Sequence, residues 1–253
     1  RCENVLKDTE NLIKSIVEKN KKVPDSLKIL GNYLEFLETI ETKQTIYLEP
    51  SDAQAKYIKE LKEFFETENI TTVGTLDTLL RERQICLSPA LLSLANTTSP
   101  KYDWVQQYLS DYPEKQVIIF SKFTKWLELL HKDIPGSNIY VGSTTSKQRE
   151  KIKKDFQAGK LRVLLIQIDA GKEGLTLDSA DTIIFTDKFP PVGDIEQAED
   201  RFVATAKDRV KKDQVIYSLV LKGTYEVNIE RGLNRSSSEL DLINDYQKYL
   251  KGE

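Results

Sequence analysis

RVLLIQIDAGKEGLTLDSADTIIFTDKFPPVGDIEQAEDRFVATAK, residues 162–207, is the stretch whose reading decides the fold. Two runs within it, Val163 to Ile166 and Thr182 to Phe185, are short, β-branched and apolar at successive positions. That pattern predicts strands of a parallel sheet covered on both faces. A loop punctuated by Gly171 and Gly174 follows the first run. After the second, Asp194 stands at an N-cap position with Gln197 three residues on, which predicts a helix start. Along that helix Gln197, Asp200, Arg201 and Ala204 fall at i, i+3, i+4 and i+7 and share one face, while Ile195, Ala198 and Phe202 lie on the other. One face packs; the other presents an amide, a carboxylate and a guanidinium.

Working outward, the chain alternates strand and helix. Gln116 to Phe120 reads as a strand, followed by a helix marked by Phe123, Trp126, Leu127 and Leu130. Asn138 to Val141 is the next strand, ending at Gly142-Ser143-Thr144, and Thr145 with Gln148 caps a helix carrying Ile152 and Phe156. Gln214 to Val220 supplies a strand beyond the central stretch. Such alternation predicts a doubly wound α/β layer. Toward the N-terminus, Thr45 to Leu48 reads as a short strand. Ser51 with Gln54 opens a helix expected to bury Tyr57, Ile58, Leu61, Phe64 and Phe65. Residues 1–42 read as a helical hairpin or insertion, broken at Asn20 to Pro24, and 43–253 as the main domain. Helices over Tyr225 to Leu233 and Leu240 to Leu250 close the chain.

A chain of 253 residues can bury a sizeable core. Its charged fraction of 30% and net charge of −3 are those of an ordinary soluble protein, so any nucleic-acid contact must come from a local patch. Cys2 and Cys86 are too few for a disulfide framework or a metal site, and are expected to be reduced thiols. His131 is expected at the surface near a helix end. No apolar run approaches membrane-spanning length, and a cytoplasmic protein without a membrane partner is the expectation. Methionine is absent even at position 1, so a piece of a longer protein is expected.

The motifs resemble those of superfamily-two helicases, most closely the Swi/Snf-like DNA translocases. Ala170, Gly171, Gly174, Leu177, Ala180 and Asp181 match the A-G-G-x-G-x-N-L-x-x-A-D of motif V. Gln197, Ala198 and Arg201 match the Q-A-x-x-R of motif VI. Lys172, Thr176 and Ala204 depart from the pattern, the last replacing a second arginine. Glu49-Pro50-Ser51 with Gln54 and Tyr57, Leu80 to Leu92, Ser121 with Lys122, Gly142 to Thr145, and Lys222-Gly223-Thr224 with Glu226 are similar to further family segments.

That resemblance implies a RecA-like parallel sheet flanked by helices, the C-terminal lobe of a helicase, with an N-terminal helical addition. It implies half of an ATP site, because no G-x-x-x-x-G-K-[ST] occurs in the chain. A first lobe of the same parent protein would hold most of ATP and Mg2+. Arg201 would be the arginine finger, with Gln197 positioning nucleotide or water, and Gly171, Gly174 and Asp200 on the nucleotide side. Ser121, Lys122, Gly142, Ser143 and Thr144 would meet DNA phosphates from the carboxyl ends of strands. No metal ligand set of its own is expected. Lys147, Arg149, Lys151, Lys153 and Lys154 make a locally basic helix, read first as a solvated face. A non-catalytic DNA- or protein-binding module and the nucleotide-sugar lobe of a glycosyltransferase are the other readings. A bacterial or phage replication or repair role is the preferred setting.

Overall fold

A computed structural model describes residues 42–67, 72–94, 99–170, 179–188, 195, 214–233 and 239–251. The expected hairpin of residues 1–42 lies outside them except for Thr42, which begins the first strand.

Three runs of consecutive apolar residues form the middle of the sheet: β2 (Val117–Ser121), β4 (Val163–Gln167) and β5 (Thr182–Phe185). Each is buried at every position except Gln167, as strands covered on both faces must be. With β1 (Thr42–Leu48), β3 (Asn138–Tyr140) and β6 (Val215–Leu221) they make a sheet of order β1-β6-β5-β2-β4-β3. Every pairing among the described strands is parallel. This is the doubly wound α/β layer that the alternation predicts and the RecA-like parallel sheet that the resemblance implies. β1 lies at an edge and is only half covered, with Lys43, Gln44 and Tyr47 exposed.

Alternation along the strands sends side chains to two faces. On one, Val117, Ile119, Val163, Leu165 and Ile184 pack under α3 (Pro100–Asp111) and α4 (Thr124–Asp133) through Val105, Leu109, Trp126, Leu127 and Leu130. On the other, Ile118, Phe120, Leu164, Ile166, Ile183 and Phe185 meet Ile152 and Phe156 of α5 (Ser146–Gln157), together with Ile195. Ile195 is buried, as expected of it; the other residues of its expected helix lie outside the described residues.

The remaining helices are α1 (Asp52–Thr67), α2 (Thr72–Leu87), α6 (Glu226–Leu233) and α7 (Glu239–Leu250). They share two apolar clusters, one of Phe65, Leu79, Tyr225, Ile229, Tyr246 and Leu250, the other of Ile58, Ile85, Cys86 and Leu221. Leu221, the last residue of β6, ties these helices to the sheet. The box predicted at Ser51 forms: the Gln54 side chain accepts from Ser51 N–H at 3.0 Å, and its amide donates to the carbonyls of Ile85 and Cys86. Phe64 departs from expectation, being 57% exposed. Ile58, Leu61 and Phe65 form the inward stripe of α1, and Phe64, one helical step off Phe65, falls at its margin.

Candidate nucleic-acid and nucleotide face

In a parallel sheet every strand delivers its following loop to the same side, so the carboxyl ends of β2, β3, β4 and β5 converge by topology. There the chain places Ser121-Lys122, Gly142-Ser143-Thr144, Gln167 to Ala170, and Thr186 to Lys188.

The expected nucleic-acid residues occupy different depths. Ser121 is fully buried at the end of β2. Its hydroxyl donates to the Asp187 carboxylate and accepts from Phe123 N–H at 3.1 Å, so it shapes the loop from beneath rather than facing solvent. Lys122 is outside that layer: its backbone N–H donates to Asp187 at 3.2 Å, while its ammonium pairs with Asp169 at 3.2 Å. Gly142 and Ser143 are exposed. Gly142 N–H donates to the Gln167 side-chain oxygen at 3.2 Å, linking the loops after β3 and β4. Thr144 folds inward, its hydroxyl accepting from Val141 N–H at 2.9 Å.

Thr145 then caps α5 with the full reciprocal box predicted for it, Thr145 N–H to the Gln148 side chain at 3.0 Å and Gln148 N–H to the Thr145 hydroxyl at 3.4 Å. Arg149 is not part of a solvated basic face. Its guanidinium donates to the carbonyls of Thr144 at 2.9 Å and Gly142 at 3.3 Å and lies 5.0 Å from the Tyr140 ring centroid, bracing the Gly142–Thr144 turn. Lys147, Lys151 and Lys154 remain exposed on the same helix.

Beneath these loops runs a buried polar layer. Asp187, just past β5, accepts from Arg83 of α2 at 2.8 Å as well as from Ser121 and Lys122. Beside it the Lys101 ammonium, wholly excluded from solvent, donates to the Thr186 carbonyl and to Glu226, each at 2.6 Å. The second oxygen of Glu226 accepts from Leu221 N–H at 2.9 Å. Burial pushes the Glu226 carboxyl above its ordinary range, against the opposing pull of Lys101. Thr186 also takes the Trp126 indole N–H at 3.0 Å. Cys86 is buried in the same region, and burial raises its thiol well above the usual range, so it stays protonated. Sequence reading missed Asp187, Arg83, Lys101 and Gln167 as members of this layer. The one local signal was a charged residue placed two positions after a mostly apolar strand, as Asp187 is after Thr182 to Phe185.

Gly171, Gly174, Gln197, Asp200 and Arg201 lie outside the described residues. Their flanks are placed: Ala170 follows β4 in the core, Thr186-Asp187-Lys188 follows β5, and Ile195 is buried in the core. Among the described residues no group of acidic, histidine and cysteine side chains has the arrangement of a metal site. No described helix is long and apolar enough to cross a membrane.

The family model for the helicase conserved C-terminal domain matches residues 100–203. ATP-dependent helicase ULS1 of Saccharomyces cerevisiae is 30% identical over 147 residues, 56% of this chain and 9% of that protein. The chain therefore spans about a tenth of the length of that relative. Among solved structures, the Sulfolobus solfataricus SWI2/SNF2 ATPase C-terminal domain superposes with a TM-score of 0.63 at 21% identity, over 80% of this chain and 89% of that one. The Sulfolobus solfataricus SWI2/SNF2 ATPase core in complex with dsDNA gives a TM-score of 0.64 at 21% identity, over 81% of this chain and 45% of that one. Domain content and fold agree: residues 100–203 match the helicase conserved C-terminal domain, and the RecA-like fold of the chain is similar to that of the Sulfolobus solfataricus SWI2/SNF2 ATPase C-terminal domain.

Proposed function

We propose that this lobe works in a DNA-dependent ATPase, closing over a nucleotide held mainly by a first lobe and gripping the DNA backbone. The observation that carries this reading is the convergence of Lys122, Gly142 and Ser143 at the carboxyl ends of β2 and β3, next to the exits of β4 and β5. An ammonium, backbone N–H groups and a hydroxyl are donors suited to phosphates and carry no base code. Ser121 acts one layer deeper, holding Asp187 and through it the Lys122 backbone. The dsDNA complex of the similar Sulfolobus solfataricus core supports a DNA partner.

On the nucleotide side, Gln197, Asp200 and Arg201, which follow Gly171 and Gly174 in the sequence, supply an amide, a carboxylate and an always-charged donor fork. Arg201 is the arginine finger of this reading. ATP with Mg2+ supplies the phosphoryl group whose transfer drives movement, and the chain itself has no phosphate-binding loop of Walker type.

Fluorescence anisotropy with two unrelated duplexes over a salt series tests the DNA half. Weak binding without sequence preference is expected, with a shallow log-log slope of about −0.9 per neutralised phosphate. A sharp sequence preference, or no loss with Lys122→Ala, contradicts it. The purified chain is expected to show no DNA-stimulated ATP turnover, and steady turnover would contradict the shared-cleft reading.

A further inference from the structure

Two carboxylates act on Lys122 from opposite sides. Asp187, buried, accepts the Lys122 backbone N–H at 3.2 Å and fixes where the residue starts. Asp169, at the exit of β4, faces the other end: both of its oxygens lie 3.2 Å from the Lys122 ammonium. The ladder between β2 and β4 continues one step past the strands, Ile168 N–H donating to the Ser121 carbonyl at 3.1 Å, so the two side chains leave from neighbouring, firmly paired backbone. With the backbone held, the ammonium can change partner by side-chain rotation alone.

The pair sits in water, with the side chains 37% and 40% exposed. An exposed ion pair of this kind holds its partners weakly and is readily exchanged. Its carboxylate oxygens present to Lys122 what a phosphate would present: anionic acceptors at hydrogen-bond distance. A phosphate reaching Lys122 therefore has to displace Asp169 and approach its negative charge.

We infer that Asp169 is an affinity-setting residue for DNA: it occupies the Lys122 ammonium as an internal anion, and a backbone phosphate binds by exchanging with it. Asp169 lies two residues before Gly171 in the sequence. The inference rests on the reading that Lys122 meets DNA.

A double-mutant cycle on the chain tests it, measuring duplex affinity by anisotropy at low salt for wild type, Asp169→Asn, Lys122→Ala and the double variant. Asp169→Asn is expected to tighten binding about two- to fivefold, the scale of an exposed ion pair. That gain should vanish when Lys122 is already alanine, and Asp169→Glu should bind like wild type. No gain from Asp169→Asn, while Lys122→Ala still weakens binding, overturns the inference and leaves the DNA role of Lys122 standing. An equal gain in the Lys122→Ala background also overturns it, since the effect would then be general charge. Unchanged binding by Lys122→Ala removes the underlying reading and the inference with it.

Discussion

Arg83 and Asp187, separated by 104 positions in sequence, meet with Arg83 Nη2 2.8 Å from Asp187 Oδ2 and with 6% and 1% of their side chains exposed. Arg83 belongs to α2 in the helical layer and Asp187 to the exit of β5, so the pair joins the helices to the face where the loops converge. Lys101 and Glu226 make a second such tie a few residues away.

Removing one partner of a buried ion pair leaves the other uncompensated, a cost of about 3–5 kcal/mol. Asp187→Ala takes the shared carboxylate away from Arg83, Ser121 and Lys122, so it is expected at that scale in urea denaturation. Ser121→Ala removes the two bonds of its hydroxyl, to Asp187 and from Phe123 N–H, and should cost less, about 1–3 kcal/mol. Asp187→Ala no more damaging than Ser121→Ala would show that the carboxylate is not the centre of the layer.

Lys101→Met should destabilise by a comparable amount, about 3–5 kcal/mol, because Glu226 keeps only Leu221 N–H close by among its main partners. Adding Glu226→Leu should recover much of the loss, since a buried pair replaced by apolar side chains is often tolerated. A double variant less stable than Lys101→Met would contradict this.

Glu82 gives the fold a pH dependence. It accepts from Tyr225 N–H at 2.9 Å and from the hydroxyls of Tyr246 at 2.9 Å and Tyr249 at 3.0 Å. Burial nevertheless raises its carboxyl above the ordinary 4.5, with those donors only partly opposing. The folded state then binds the proton to higher pH than the unfolded one. The resulting stabilisation is present below about pH 4.5 and is lost as pH rises through the folded value. Glu226 is raised by the same cause and acts with the same sign. Glu82→Gln keeps a polar group there without titrating, so the stability of wild type relative to this variant should fall as pH rises above about 4.5. An unchanged difference as pH rises, measured by denaturant titration, would contradict the sign.

What was legible in the chain was mostly local. Val163 to Ile166, Thr182 to Phe185 and the strand before Ser121 announce buried parallel strands because β-branched apolar runs have few other places to go. Both boxes, Ser51 with Gln54 and Thr145 with Gln148, form as their three-residue spacing predicts. Phe64 was misplaced because a hydrophobic stripe is read from periodicity, which does not resolve its margin. Arg149 looked like one of several solvated bases until the fold turned it onto the carbonyls of Thr144 and Gly142. The Arg83 and Lys101 pairs were not legible at all, because charge pairing between α2, α3, β5 and α6 depends on tertiary approach and leaves no spacing to read.

In the proposed function this lobe contributes Arg201 to phosphoryl transfer. By helical spacing in the sequence, Ala204 stands where motif VI of the resembled helicases has a second arginine, so Arg201 is expected to carry most of the lobe's contribution and Arg209 to fall off the Gln197 and Arg201 face. Arginine fingers contribute roughly 10³ to 10⁵ in rate. The direct measurement is single-turnover ATP hydrolysis, with DNA present, by a two-lobed protein containing this chain. Arg201→Ala should slow it at least about a hundredfold with the urea midpoint unchanged, and Arg209→Ala should slow it less. Retention of most activity by Arg201→Ala, or greater damage from Arg209→Ala, would contradict the account.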